Sequence, residues 1–190
     1  MKKLVVLFSG RGTNLAYILK HLHKKDDFKV VMALTNNPNA KGIDIAKSYN
    51  IPVEIVESKK FSNREDFDRI VVDKINNYSP NLTILAGFMR ILTPVFTYSI
   101  KAINLHPSLL PKYKGLCAIE RSFESGDNIC GVSVHWVTSE LDSGKLILQK
   151  SFERSSDMSF EEFESNIKRI EKIALKDAII EVFKEEILNV

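Results

Sequence analysis

The sequence predicts an α/β chain: a doubly wound, mostly parallel sheet, Rossmann-like in its N-terminal half, with an antiparallel edge and a long C-terminal helix. Three observations predict it. Short β-rich apolar runs alternate with helical stretches as far as residue 105, and such alternation builds a parallel sheet with helices on both faces. Two later strand-like runs, Val132–Val137 and Leu146–Phe152, follow one another with no helix between, as an antiparallel pair can and a parallel pair cannot. Last, Ser159–Glu162 reads as a capping box and opens a run whose apolar positions 160, 163, 167, 170 and 174 form one helical stripe.

Taken in order, Leu4–Phe8 is a buried strand closed by Ser9-Gly10. Asn14–Lys25 carries apolar residues at 15, 18, 19 and 22 and predicts a helix. Phe28–Leu34 is a second strand, stopped by Thr35-Asn36-Asn37-Pro38. A helix over Ala40–Tyr49 and a strand over Val53–Val56 follow. Ser62-Asn63-Arg64-Glu65 reads as a capping box, with a helix from there to about Asn77. Leu82–Ala86 is a fourth strand, Thr93-Pro94 starts another helix with proline in its first turn, and Lys101–Leu105 is a fifth strand. No repeat, low-complexity segment or linker divides the chain, so a single domain over 1–190 is expected.

The totals exclude several classes. With 27 Lys and Arg against 24 Asp and Glu, the net charge is only +3, too balanced for a dedicated nucleic-acid binder. No apolar run approaches the roughly 18 residues that span a bilayer, and Leu4–Phe8 is too short for a signal-peptide core. Cys117 and Cys130 make no disulfide framework, and a cytoplasmic chain is expected. The four residues Cys117, Cys130, His106 and His135 match no metal-ligand spacing, so no metal is expected.

Two stretches carry chemistry. Ser9-Gly10-Arg11-Gly12-Thr13-Asn14 joins the first strand to the first helix. Glycines there let the backbone approach a ligand, and the helix N-terminus offers N–H donors and partial positive charge. The third glycine of a dinucleotide fingerprint is replaced by Leu15, so a monophosphate fits better than a pyrophosphate. A plain turn capped by Thr13 or Asn14 is the alternative.

The second stretch is INLHPSLLPKYKG, residues 103–115. Residues i and i+2 of a strand share a face, so Asn104 and His106 face together at a strand's carboxyl end, where open α/β sheets bind ligands. Pro107 restricts His106, and Pro111 restricts Leu110 or marks a cis bond. A rigid amide and imidazole suit stabilisation of developing charge and movement of a proton. Asp142, in a turn between the two edge strands, is the best carboxylate partner for His106, with an ordinary turn residue as the alternative. His21 and His23, on a lysine-rich helix, read as solvated, and His135 as structural. The apolar insert Ala86–Leu92 can line a heterocycle pocket or serve as plain core.

AGFMRIL at 86–92, INLHPSLLPKYKG at 103–115 and SVHWVTSELDSGKLILQ at 133–149 resemble the folate-dependent formyltransferase family. The SGRGTN loop and the short length resemble its glycinamide ribonucleotide (GAR) formyltransferase branch, which serves purine synthesis. The resemblance runs nearly the whole chain and implies roles position by position. Gly12, Thr13 and Asn14 would hold the phosphate of GAR, with Lys168 and Glu171 also on the GAR side. Arg64, Met89, Arg90, Ile91 and Leu92 would serve the cosubstrate, 10-formyltetrahydrofolate, beside a loop of Thr138, Ser139, Glu140, Leu141 and Asp142. Asn104 would hydrogen-bond the formyl oxygen, protonated His106 would be the acid, and Asp142 would raise the pKa of His106. Small-molecule partners, no nucleic acid, no membrane, and a monomer or weak homodimer are expected. One departure is plain: where some members have extra histidines after the glycine matching Gly115, this chain reads Leu116-Cys117-Ala118-Ile119-Glu120. The alternative within the family is a formyltetrahydrofolate deformylase. That hydrolase usually carries an extra N-terminal domain, whereas this sequence opens on its first strand.

Overall fold

The computed structural model describes residues 1–188. Its strands are β1 (Lys2–Phe8), β2 (Phe28–Thr35), β3 (Val53–Ile55), β4 (Leu82–Leu85), β5 (Ala102–His106), β6 (Ile129–Trp136) and β7 (Leu146–Glu153). The helices are α1 (Thr13–His21), α2 (Gly42–Ser48), α3 (Arg64–Asn76), α4 (Pro94–Thr97), α5 (Ala118–Glu124) and α6 (Phe160–Leu188). The strands are ordered β3-β2-β1-β4-β5-β6-β7, which bears out the expected mostly parallel sheet with an antiparallel edge. The chain gathers into two compact units, the first Met1–Asn104 with Val137–Ser139, the second Leu105–Trp136 with Glu140 onward.

In the first unit β1 pairs in parallel with β2 and β4, β2 with β3, and β4 with β5. Connections run outward in both directions from β1, so the sheet reverses its winding between β1 and β4. In open α/β sheets that reversal leaves a crevice at the strands' carboxyl ends. The core is Val5, Leu7, Met32, Leu34, Phe67, Val71, Ile75, Leu85, Phe96 and their neighbours, all buried. The β-branched and aliphatic runs of a parallel strand buried on both faces supply it. Thr93 is the N-cap of α4 with Pro94 behind it, as expected.

Two helix starts and one helix end differ from the sequence reading. The N-cap of α3 is Asn63, whose side chain accepts from the N–H of Asp66 at 2.8 Å. Asn63 caps at least as well as Ser62, and moving the start by one residue brings Asp66 rather than Glu65 to the position that closes the cap. α2 begins at Gly42, not Ala40. α1 stops at His21 instead of running to Lys25, because Lys24, Asp26 and Asp27 adopt positive φ and turn the chain into β2. His23 is therefore buried, not solvated, and its Nδ1 accepts from the N–H of Val30 at 3.2 Å.

In the second unit β6 and β7 pair antiparallel with an irregularity between Val134 and His135. Side chains of α6 cover this pair: Phe163, Ile167, Ile170 and Ala174 are buried, as the stripe predicts, and the stripe continues through Leu175, Ala178, Ile179, Val182 and Phe183. Phe160, which the stripe also included, is exposed as the first helical residue, with its ring edge-to-face against Phe123. The capping box is reciprocal: Ser159 N–H donates to Glu162 Oε2 at 2.9 Å and Glu162 N–H donates to Ser159 Oγ at 3.2 Å.

The pKa of His23 is lowered, first by burial and then by Lys24 and Lys29. The unfolded chain takes up this proton near pH 6.5 and the folded chain only at lower pH, so stability falls as pH drops below about 6.5. His23→Asn offers Val30 an oxygen acceptor and cannot become charged. It is expected to remove part of the stability loss between pH 7 and 5 in urea unfolding; an unchanged pH slope would acquit His23.

Candidate active site

At the winding reversal of the first unit, the loops that follow β1 and β4 are bonded to one another. Ser9 N–H donates to the Gly87 carbonyl at 3.0 Å and Met89 N–H donates to Ser9 Oγ at 2.8 Å. Ser9 Oγ in turn donates to Asn36 Oδ1 at 2.6 Å, and Asn37 Nδ2 donates to the Ser9 carbonyl at 3.2 Å, so three loops are tied at one serine. Gly12 is the N-cap of α1 at φ 71, and no side chain caps it, so neither Thr13 nor Asn14 takes the role that the plain-turn alternative assigned. Only glycine fits: a Cβ there would stand 2.5 Å from Gly42 Cα. No side chain caps the first-turn N–H groups of α1, and a helix N-terminus favours an anion.

The far end of the β4 loop is fixed as well. The buried carboxylate of Asp68 accepts from Thr93 N–H at 2.6 Å and from Thr93 Oγ at 2.7 Å. Between these anchors Met89 and Ile91 stand exposed at 74% and 57%, Leu92 packs on the core, and the Arg90 guanidinium lies over the Phe67 ring at 5.2 Å. Met89 and Ile91 are thus exposed apolar side chains on a loop anchored at both ends. Arg64 is exposed in the first turn of α3, and Thr138 and Ser139 are exposed beyond Val137.

Asn104 and His106 lie two residues apart on β5 and share a face of that strand, as the spacing predicts. In the second unit, Asp142 Oδ2 lies 3.3 Å from His106 Nδ1 and accepts from Gly115 N–H at 2.9 Å. Its other oxygen lies 3.5 Å from His135 Nε2. The turn holds Asp142 at φ 48, a left-handed conformation that points a buried carboxylate inward. His106 Nε2 lies 2.9 Å from the Tyr113 carbonyl, which only accepts, so Nε2 carries a proton. His135 Nδ1 likewise meets the Trp136 carbonyl at 2.8 Å, which leaves its Nε2 toward Asp142.

The electrostatics correct one expectation. Burial is the largest influence on His106 and lowers its pKa. The Tyr113 carbonyl and Asp142 both favour the charged ring and oppose burial, while His135 and Arg121 add to it. Asp142 acts in the expected sense, yet desolvation is the larger influence, and the His106 pKa lies below its ordinary value. Burial raises the Asp142 carboxyl, but hydrogen bonds from His135 and Gly115 and the nearby His106 outweigh it and hold its pKa below the ordinary value.

His135, read as structural, is thus the third member of the group. Its signal lies in β6, where Ser133 and His135 alternate with Val132 and Val134 and present polar atoms on one face. Ser133 Oγ accepts from Leu110 N–H at 2.9 Å and donates to the Ser108 carbonyl at 2.7 Å, so that same face props the segment after His106, where the Leu110–Pro111 bond is cis. Glu140 and Leu141 are exposed beside Asp142. On α6, Lys168 pairs with Glu164 at 2.6 Å and Glu171 is half-buried. Cys117 is exposed at φ 54 just before α5. Among the described residues no group of three His, Cys, Asp or Glu is placed to hold a metal ion, and no helix is long and apolar enough to cross a membrane.

The mostly parallel sheet with its antiparallel edge, and the buried imidazole–carboxylate pair in the second unit, fit the class of α/β enzymes. The chain belongs to the formyl transferase family, whose model matches residues 2–179. It is 40% identical over 174 residues, 90% of this chain and 82% of the relative, to the phosphoribosylglycinamide formyltransferase of Haemophilus influenzae. It is 42% identical over 149 residues, 77% of this chain and 70% of the relative, to the enzyme of that name in Escherichia coli. The crystal structure of phosphoribosylglycinamide formyltransferase from Campylobacter jejuni matches with a TM-score of 0.93 at 52% identity, covering 96% of this chain and 97% of that one.

If Asp142 supports the charged imidazole, Asp142→Asn lowers the His106 pKa further. NMR titration of the ring measures this directly, and an unchanged or raised value would break the electrostatic link.

Proposed function

We propose that this chain transfers the formyl group of 10-formyltetrahydrofolate to the amine of phosphoribosylglycinamide, a step of purine biosynthesis. The observation that carries the reading is the His106–Asp142 pair at 3.3 Å, two residues beyond Asn104, in a chain that matches enzymes of that name over most of its length. We take residues 1–190 to act as one formyltransferase domain in the cytoplasm, as a monomer or weak homodimer. The first turn of α1 at Gly12, Thr13 and Asn14 takes the substrate phosphate, and Lys168 and Glu171 bind elsewhere on the same substrate. Arg64, Met89, Arg90, Ile91 and Leu92 bind the folate, along with Thr138, Ser139, Glu140, Leu141 and Asp142. The exposure of Met89 and Ile91 on a loop pinned at both ends supports that role, since a flat apolar ligand would cover them.

The chemistry follows from this pair. The substrate amine attacks the formyl carbon, a C–N bond forms, and the carbonyl oxygen becomes an oxyanion. The Asn104 amide donates a hydrogen bond to it. His106 takes up the proton that the attacking amine must lose. The oxyanion and Asp142 both stabilise the resulting imidazolium against the burial that disfavours charge on the ring. His106 then returns the proton to the departing folate nitrogen as the old C–N bond breaks, and the ring ends as it began. Holding both reactants together supplies on the order of 7 kcal/mol or more without any covalent enzyme intermediate.

Asn104→Ala and His106→Ala are each expected to reduce turnover about a hundredfold or more, the roughly 3–4 kcal/mol of a lost oxyanion donor, while the urea midpoint stays near wild type. Near-normal rates in both variants would defeat the assignment. Incubation with 10-formyltetrahydrofolate, with and without phosphoribosylglycinamide, tests the reaction class. Formyl loss that requires the amine is the expected result, and equal loss without it would make the protein a hydrolase.

A further inference from the structure

His106 owes its proton arrangement to the Tyr113 carbonyl, and Tyr113 is itself held in an uncommon way. Its φ is 58, a left-handed backbone that a bulky residue keeps only where its surroundings enforce it. Neighbouring peptides are tied from several sides. Ser108 Oγ donates to the Lys112 carbonyl at 2.6 Å, Arg121 Nη2 donates to the Lys114 carbonyl at 3.0 Å, and Gly115 N–H donates to Asp142. The peptide between Tyr113 and Lys114, whose oxygen meets His106, has the Tyr113 side chain as its own anchor. That phenol donates to Asp127 Oδ2 at 2.8 Å, and the Arg121 guanidinium stands over the ring at 5.8 Å.

Asp127 is a fixed post. It follows Gly126 in the turn between α5 and β6; its N–H donates to Ser125 Oγ at 3.2 Å, and its carbonyl accepts from Cys130 Sγ at 3.2 Å. Lys112 Nζ shares its carboxylate oxygen at 2.8 Å. A chain of bonds therefore runs from Asp127 through the Tyr113 hydroxyl, ring and backbone to His106 Nε2.

We propose that Asp127 is a positioning residue for His106: by holding the Tyr113 hydroxyl it sets the rotation of the 113–114 peptide, keeps the ring's proton on Nε2, and leaves Nδ1 beside Asp142 for proton transfer. Its effect on turnover rests on the formyl-transfer reading; its effect on the ring does not. The charged and titratable groups facing His106 are Asp142, His135 and Arg121, and the substitutions below change none of them.

Tyr113→Phe removes one oxygen and no charge. Asp127→Ala removes the post, Asp127→Asn keeps an acceptor for the phenol, and Lys112→Ala is a control that touches the carboxylate but not the tyrosine. The imidazole nitrogen shifts of His106, measured by NMR in the free protein, report its tautomer and midpoint. In Tyr113→Phe and Asp127→Ala the ring is expected to become a mixture of tautomers with its midpoint lowered by on the order of one pH unit, as a charge-assisted hydrogen bond is lost. With both substrates, kcat falls about tenfold in these two while KM changes little. Asp127→Asn and Lys112→Ala stay close to wild type. A wild-type tautomer and midpoint in Tyr113→Phe would overturn the proposal, whatever the rate; so would a full effect in Lys112→Ala. Ring shifts as expected in a protein that does not transfer formyl would leave the positioning intact and refute only the reading of its function.

Discussion

The chemistry of the second unit depends on one buried carboxylate. Asp142 sits between two imidazoles and a backbone N–H, each within 3.5 Å. A carboxylate removed from water would ordinarily neutralise itself. Here its partners hold its pKa below the ordinary value, and its charge in turn opposes the burial that lowers the pKa of His106. The His106 ring has an acceptor beside each nitrogen, the Tyr113 carbonyl at Nε2 and Asp142 at Nδ1, so a proton taken up there strengthens both contacts.

The surrounding segments make the balance rigid. Ser133 on β6 grips the backbone between His106 and Pro111, Asp127 holds Tyr113, and the left-handed turn at Asp142 aims its carboxylate. Neither Ser133 nor Asp127 needs to touch a substrate. In the first unit the same logic acts through Ser9 and Asp68, each of which fixes one end of the loop carrying Met89 and Ile91. That loop lies where the winding of the parallel sheet reverses, between β1 and β4.

Much of this was legible in the residues. The alternation through residue 105, the capping box at Ser159 and the stripe on α6 are local patterns, and the structure reproduces them because helix and strand periodicity act over a few residues. The same-face pair Asn104 and His106 was legible for the same reason. His23 was misread because its burial follows from where α1 stops, and that is decided by the turn into β2. The partner of His135 was not legible because a histidine in an alternating strand declares its face but not its neighbour. The electrostatics of His106 were not legible because they are a contest between desolvation and partners, and neither can be weighed until both are in place.

The sequence by itself determined the α/β class, the order of elements, the glycine turn between β1 and α1 and the polar pair on β5. These depend on backbone preferences and on neighbours at most a few positions apart. Only the tertiary structure decided which carboxylate meets which imidazole, that His135 and Asp127 join the network, and that burial outweighs the partners of His106. Those outcomes rest largely on contacts between distant residues, here His106 with Asp142 and Tyr113 with Asp127. They rest equally on how deeply those residues are withdrawn from water, which no stretch of sequence carries alone.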